Sequence, residues 1–342
     1  LANIEPLIIF VEKRMNVRAL LILILLTTKI MAGKSQTDTS ITYVHNLSQS
    51  FKSQFLQSLM TVLGKKNTIE KRIKTNRFSS EAVEPPKVLL SDFQTQVREI
   101  NQRKVWMFKP KQNASSKVIL YIHGGGYISN LTKYDWRFVH ELLVKTNCSI
   151  VVPDYPLVPV SNYSDVYAYF DKLYPVVLSE TSQENIIFIG NSCGGGIALG
   201  FAQKLRDENK PQPSQIILNS PWLDVTMSNQ DIIEIDKKDK LLGIKGLKMA
   251  GELYTAELNP TDYRVSPIYG DFSGLGKISL FIGTHDLFHA DSRKFKQKMK
   301  VQDISINYFE YPKMFHVWMV LTGMKESQHV ISQMTTLINL DD

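Results

Sequence analysis

The run Gly190-Asn191-Ser192-Cys193-Gly194 constrains this chain more than any other feature. It follows the apolar residues 186–189 and leads into Gly195-Gly196-Ile197-Ala198-Leu199-Gly200-Phe201-Ala202. An apolar run, a glycine turn and a stretch of small helix-compatible residues predict strand, tight turn and helix. In that setting G-x-S-x-G exposes a serine hydroxyl. The outer glycines are needed because backbone crowds such a turn, so a side chain at either position would clash. The helix beneath the serine adds unpaired N–H groups and a positive dipole end, both favourable to a developing negative charge.

A second motif, His123-Gly124-Gly125-Gly126-Tyr127, directly follows the strand-like residues 117–122. Three consecutive glycines strip the loop of side chains and let its amides approach a ligand closely. The amides of Gly124 or Gly125, Gly126 and Cys193 are the expected donors to a tetrahedral oxyanion. A phosphate cradle fits poorly, because neither G-x-x-x-x-G-K-[ST] nor G-x-G-x-x-G spacing follows the strand.

A serine hydroxyl needs a base, and the base an orienting acid. Of seven histidines, His316 stands in a loop between a strand expected at 304–308 and the last helix. The chain order nucleophile, acid, histidine puts the base there. His329 falls inside the final helical pattern, and His45 and His140 in helical segments away from strand ends. His285 and His289 flank the acid candidate instead. Asp286 follows the strand 277–283, in the kind of strand-end loop where catalytic groups of an open α/β sheet collect. Asp291 is the runner-up acid, although it opens the next helix; Asp262 and Asp224 read as structural. The candidate triad is Ser192, Asp286 and His316. Tyr127, Trp222 and Val317 complete the candidate set as substrate contacts.

Apolar strands are predicted near 105–108, 118–122, 149–152, 186–189, 216–218, 278–282 and 304–308. Helical patterns fall at 134–145, 166–178, 196–208, 292–300 and 326–338. Such alternation predicts a mostly parallel sheet covered on both faces. Residues 95–108, with Asn101-Gln102 near the middle, suit an antiparallel edge hairpin. Residues 1–85 lack a strand rhythm and contain helical stretches such as 44–63. Residues 225–265 also read as helical and charged, with Lys237-Lys238-Asp239-Lys240 at the surface and Leu241, Leu242, Met249, Leu253 and Tyr254 as apolar members.

These motifs, with Val152-Pro153-Asp154-Tyr155-Pro156-Leu157, Ser220-Pro221-Trp222-Leu223-Asp224, Ser266-Pro267, and the paired GTHD and FHVW segments, resemble the hormone-sensitive-lipase-like branch of the α/β-hydrolases. The resemblance spans roughly residues 85–340. It implies an α/β-hydrolase fold, a carboxylesterase with a Ser-His-Asp triad and no metal or cofactor, and a helical cap. On that reading 1–85 is an N-terminal cap segment, and 86–342 is the catalytic domain with a cap insertion at about 225–265. The sequence departs from the family in Asn191 and Cys193, where an acidic residue and alanine are usual. The implied substrates are short- to medium-chain carboxylic esters. The alternatives are an amidase or carbamate hydrolase with the same triad, or a non-catalytic ligand-binding member of the fold.

With 342 residues, 43% of them hydrophobic, the chain can bury a large core. Cys193, at a helix start, invites a rival-nucleophile reading, but the residue after an elbow serine faces packing. Cys148 reads as a buried small hydrophobe at a strand start. Two cysteines make no disulfide framework, and no metal-ligand spacing is present. Net charge is +7, concentrated in Lys65, Lys66, Lys71, Arg72, Lys74 and Arg77. No nucleic-acid motif accompanies that cluster, whereas peripheral contact with an anionic membrane is compatible with it. Residues 19–26 form an unbroken apolar run too short to span a bilayer. A retained cap helix within 15–33 implies a cytoplasmic protein, an interfacial anchor there a membrane-associated one, and a signal peptide a secreted one.

Overall fold

The computed structural model describes residues 40–79 and 81–340; the apolar run at 19–26 lies outside them. In chain order the elements are β1 (Thr42–Val44), α1 (Phe51–Val62), α2 (Thr68–Lys74), α3 (Lys87–Asp92), β2 (Phe93–Ile100), β3 (Arg103–Pro110), β4 (Val118–Ile122), α4 (Lys133–Thr146), β5 (Ser149–Pro153) and α5 (Tyr163–Leu178). They continue with β6 (Ile186–Asn191), α6 (Cys193–Asp207), β7 (Gln215–Asn219), α7 (Ile232–Asp236), α8 (Ile244–Thr255), β8 (Lys277–Gly283), α9 (His289–Val301), β9 (Ile306–Tyr311) and α10 (Lys325–Asn339).

Nine strands form one sheet in the order β1-β9-β8-β7-β6-β4-β5-β3-β2. All neighbours run parallel except β3, which is antiparallel to both β2 and β5. Strands β4, β6 and β7 are buried along their whole length, as parallel strands covered on both faces must be. One face packs on α5, α6 and α9, with Phe170, Ile197, Phe201 and Phe295 at its centre. The other packs on α4 and α10 through Trp136, Phe138, Leu142, Val330 and Met334. Capping boxes start two of these helices. Thr132 and Asp135 close the N-terminus of α4, and Asn162 and Asp165 that of α5, each supplying partners for otherwise unpaired amides.

The expected edge hairpin forms. Asn101 and Gln102 join β2 to β3, both with positive φ (50° and 61°), the conformation that matches strand twist in a two-residue turn. Three expectations need correction. A strand does occur within residues 1–85: β1 pairs in parallel with β9 at the far edge, so His45 follows a strand end, and the helix is shortened to Phe51–Val62. The strand expected at 304–308 begins at Ile306, because the Ile304 amide donates to the Met299 carbonyl and closes α9. Within 237–240, Asp239 is buried rather than at the surface.

Among the described residues, no helix is long and apolar enough to cross a membrane.

Candidate active site

The loops that follow β4, β6, β7, β8 and β9 all leave from the carboxyl ends of parallel strands, and these ends meet. Ser192 has φ 53° and ψ −121°, a strained conformation for a residue with a Cβ. Packing holds it there. A Cβ on Gly190 would run into the Gly194 carbonyl, and one on Gly194 into the carbonyls of Ile122 and His123. The expected clash at both outer glycines is therefore real. The Ser192 amide donates to Asn219 O, and its carbonyl accepts from the Trp222 amide. The loop after β7 thus brackets the elbow.

His316 Nε2 lies 2.9 Å from Ser192 Oγ, and His316 Nδ1 lies 2.9 Å from Asp286 Oδ2. The carboxylate accepts only, so Nδ1 carries the proton and Nε2 is free to accept from the serine hydroxyl. Asp286 is fully buried; its Oδ1 accepts from the Phe288 amide. The structure thus brings together three side chains from three strand ends. Phe288 stands edge-on to the His316 ring at 5.2 Å. Val317 is a β-branched residue in the left-handed region (φ 48°), and its amide donates to Ser220 Oγ. That strained link fixes the loop immediately after His316.

The glycine loop lies against the elbow. A Cβ on Gly124 would sit 3.0 Å from Ser192 Cβ, and Gly125 and Gly126 take positive φ (123° and 62°). The Tyr155 hydroxyl donates to His123 O (2.9 Å) and its ring stacks on His123, holding the loop from below. Cys193 begins α6, so its N–H has no intrahelical partner. Its sulfur accepts from the Tyr127 amide. Burial pushes the thiol pKa up, although the amides of Tyr127 and Gly126 and the Tyr155 hydroxyl act the other way. A buried, neutral thiol turned into the packing is no rival nucleophile.

Tyr127 and Trp222, expected as substrate contacts, are sealed in the core. Tyr127 stacks on Tyr254 at 3.7 Å, and Trp222 stacks on Phe288. They form the wall behind the elbow rather than an open surface; Val317 alone of the three is half-buried beside His316. Asp224 binds Thr226 and Tyr269 and Asp291 binds Asn229, so neither approaches the imidazole by a hydrogen bond. His329 is bonded to the Tyr311 hydroxyl.

Sequence reasoning missed Asp239. Its Oδ2 accepts from the Leu287 amide, next to Asp286, and its Oδ1 accepts from the amides of Leu241 and Leu242. Burial, and then the Asp286 charge, push its pKa up to about 6. Three lysines around it in sequence make it look solvated, and only the fold carries it to the loop that holds Asp286. The neutral Asn191 also has an explanation. It donates to the Tyr121 hydroxyl, which donates on to Asp135, and it accepts from Asn219. A carboxylate could not make the first of these bonds. Among the described residues, no cluster of histidine, cysteine and acidic side chains could hold a metal ion.

Comparison with known proteins agrees with this architecture. A family model described as the alpha/beta hydrolase fold matches residues 119–320, more than half of the chain. The chain belongs to the α/β-hydrolase fold family. An esterase from Acinetobacter venetianus is 28% identical over 238 residues, 67% of this chain and 78% of that protein. A Staphylococcus aureus structure described as a candidate esterase has TM-score 0.74 at 28% identity, covering 85% of this α/β-hydrolase and 99% of that chain. A hormone-sensitive lipase from a metagenome library shares the fold at TM-score 0.73 and 21% identity, covering 85% of this chain and 99% of its own. The resemblance read from the motifs is borne out.

Proposed function

We propose that this α/β-hydrolase is a serine carboxylesterase, a carboxylic ester hydrolase in which Ser192, His316 and Asp286 act as nucleophile, base and orienting acid. The observation that carries the reading is the unbroken chain of contacts from Ser192 Oγ through both ring nitrogens of His316 to the buried Asp286. The esterase name of the Acinetobacter relative supports the reaction class.

Ser192 Oγ attacks the ester carbonyl while His316 Nε2 takes its proton. Asp286 holds the Nδ1–H tautomer and stabilises the imidazolium. The tetrahedral oxyanion is bound by the Cys193 amide together with the amides of Gly124 and Gly125. Gly126, whose amide faces the Cys193 sulfur, serves to turn the loop. His316 then protonates the leaving alcohol, and water repeats the sequence on the acyl-enzyme. Residues 225–265, with helix α2, roof the site: Lys66 pairs with Asp236, and Lys245 with Glu70. The rings of Trp222, Tyr127, Tyr254 and Phe288 fill the space behind the serine, which favours short- to medium-chain acyl groups, with Val317 as the contact beside the base.

The test is hydrolysis of p-nitrophenyl esters from acetyl to palmitoyl by wild type and Ser192→Ala. The variant is expected to lose at least about 10³-fold in kcat while remaining folded. Undiminished turnover in Ser192→Ala would sink the proposal. Matched amides in the same assay separate an esterase from an amidase.

A further inference from the structure

Helix α1 is apolar on two opposite faces. Ser53, Leu56 and Met60 turn inward, where Leu56 and Met60 pack on the core. The helix is anchored firmly: Ser53 Oγ meets Met314 Sδ, Gln57 Nε2 donates to Lys313 O, and Ser50 binds Glu326. The outward face carries Phe51, Phe55, Leu59 and Val62, spaced i, i+4, i+8 and i+11 along one stripe. Their exposures are 83%, 55%, 40% and 84%, and Leu63 beyond them is 58% exposed. Lone exposed apolar residues are ordinary, but a contiguous stripe with two phenylalanines marks an interaction surface.

The stripe runs into a basic basin. Leu63 lines a depression of about 530 Å³ together with Lys65, Lys71, Arg72 and Arg77, and no carboxylate lines it. Neighbouring cations are neutralised, Lys66 by Asp236 and both Lys74 and Lys245 by Glu70. Among the described residues, the four basin cations have no carboxylate partner.

We propose that this surface docks on an anionic lipid bilayer, with the α1 stripe entering the acyl boundary and the basin cations meeting lipid phosphates. An amphipathic helix flanked by cations has the chemistry of an interfacial anchor. Charge complementarity selects this occupant over the two others. A second copy seated with parallel helices sets the two basins against each other, and one seated antiparallel leaves both basins outside the contact. Residues 1–39 carry five lysines and arginines against three carboxylates, so they bring the basin no net negative charge. The inference stands apart from the catalytic reading, because its readout is binding.

Co-sedimentation with phosphatidylcholine vesicles, with and without phosphatidylglycerol, tests it. The full chain is expected to bind the anionic vesicles and to release as salt rises, because surface attraction is screened. Phe51→Ser/Phe55→Ser/Val62→Ser should lose about tenfold or more in vesicle affinity. Lys65→Glu/Arg77→Glu should lose the preference for anionic over neutral vesicles. Both variants should match wild type in circular dichroism and in hydrolysis of soluble p-nitrophenyl acetate, none of these residues touching the serine. The proposal is overturned if the stripe variant binds as tightly as wild type. It is equally overturned if wild type ignores both vesicles, whether residues 1–39 or a second copy covers the stripe.

Discussion

Asp239 shows how one side chain ties distant parts of the site together. Its carboxylate accepts three amides, two from its own segment and one from Leu287. The Leu287 amide is adjacent to Asp286, so this bond fixes the turn from which Asp286 reaches His316. Asp239→Asn keeps the size but points an NH₂ group at one set of donors, losing a buried partnership worth about 1–3 kcal/mol. A small displacement of Asp286 acts on the oriented reaction rather than on substrate uptake. We expect kcat on p-nitrophenyl butyrate to fall about tenfold or more with KM little changed. A variant with lowered thermal stability but wild-type kcat would mean that the bond is only a structural staple. Nothing in a Lys-Lys-Asp-Lys run announces such a role, because the partner amide is 48 residues away in sequence.

At the scale of elements, legibility tracks locality. The strand–turn–helix at Ser192 and the strand–glycine loop at His123 are specified by adjacent residues, and both appear where the sequence places them. The short strand β1 was illegible: three residues, Thr42–Val44, carry no period of their own and become a strand only by pairing with β9. The contact of α2 with α8 is likewise tertiary. Gly246 permits it, since a Cβ there would meet the Glu70 amide at 2.7 Å and Ile69 Cβ at 3.1 Å. Ile69 also borders Gly126, so prying these helices apart should reshape the proposed roof near the glycine loop. Gly246→Leu is expected to cost about 1–3 kcal/mol through overpacking and to shift the acyl-chain optimum in the p-nitrophenyl series. An unchanged optimum would separate α2 from substrate selection.

For the whole molecule, buried carboxylates set how stability responds to pH. Burial, opposed by the bond from Asn229, raises the Asp291 pKa from its ordinary 3.8 to about 6. A folded-state pKa above the unfolded one means that the native chain binds more protons between those values. The contribution of Asp291 is therefore fully present below about pH 4 and is lost as pH rises through about 6. Asp291→Asn removes this titration. Relative to wild type, the variant should gain stability between pH 4 and 6, by up to about 3 kcal/mol, read from urea midpoints across that range. A difference between the two proteins that stays constant with pH would mean that Asp291 ionises as it does in the unfolded chain.

By itself the sequence determined the local devices: a serine at a glycine-flanked turn, a glycine loop after a strand, and a histidine and an aspartate in strand-end loops. It also determined the alternation that yields a parallel sheet. These follow from properties of neighbouring residues, chiefly glycine's freedom and the periodicity of apolar side chains. Only the tertiary structure decided that Tyr127 and Trp222 are wall rather than surface, that Asp239 stands behind Asp286, and that Phe51 and Val62 face outward. The physical reason is shared by all three. Burial and hydrogen-bond partnership depend on which elements pack together, and a residue's type constrains that choice without making it.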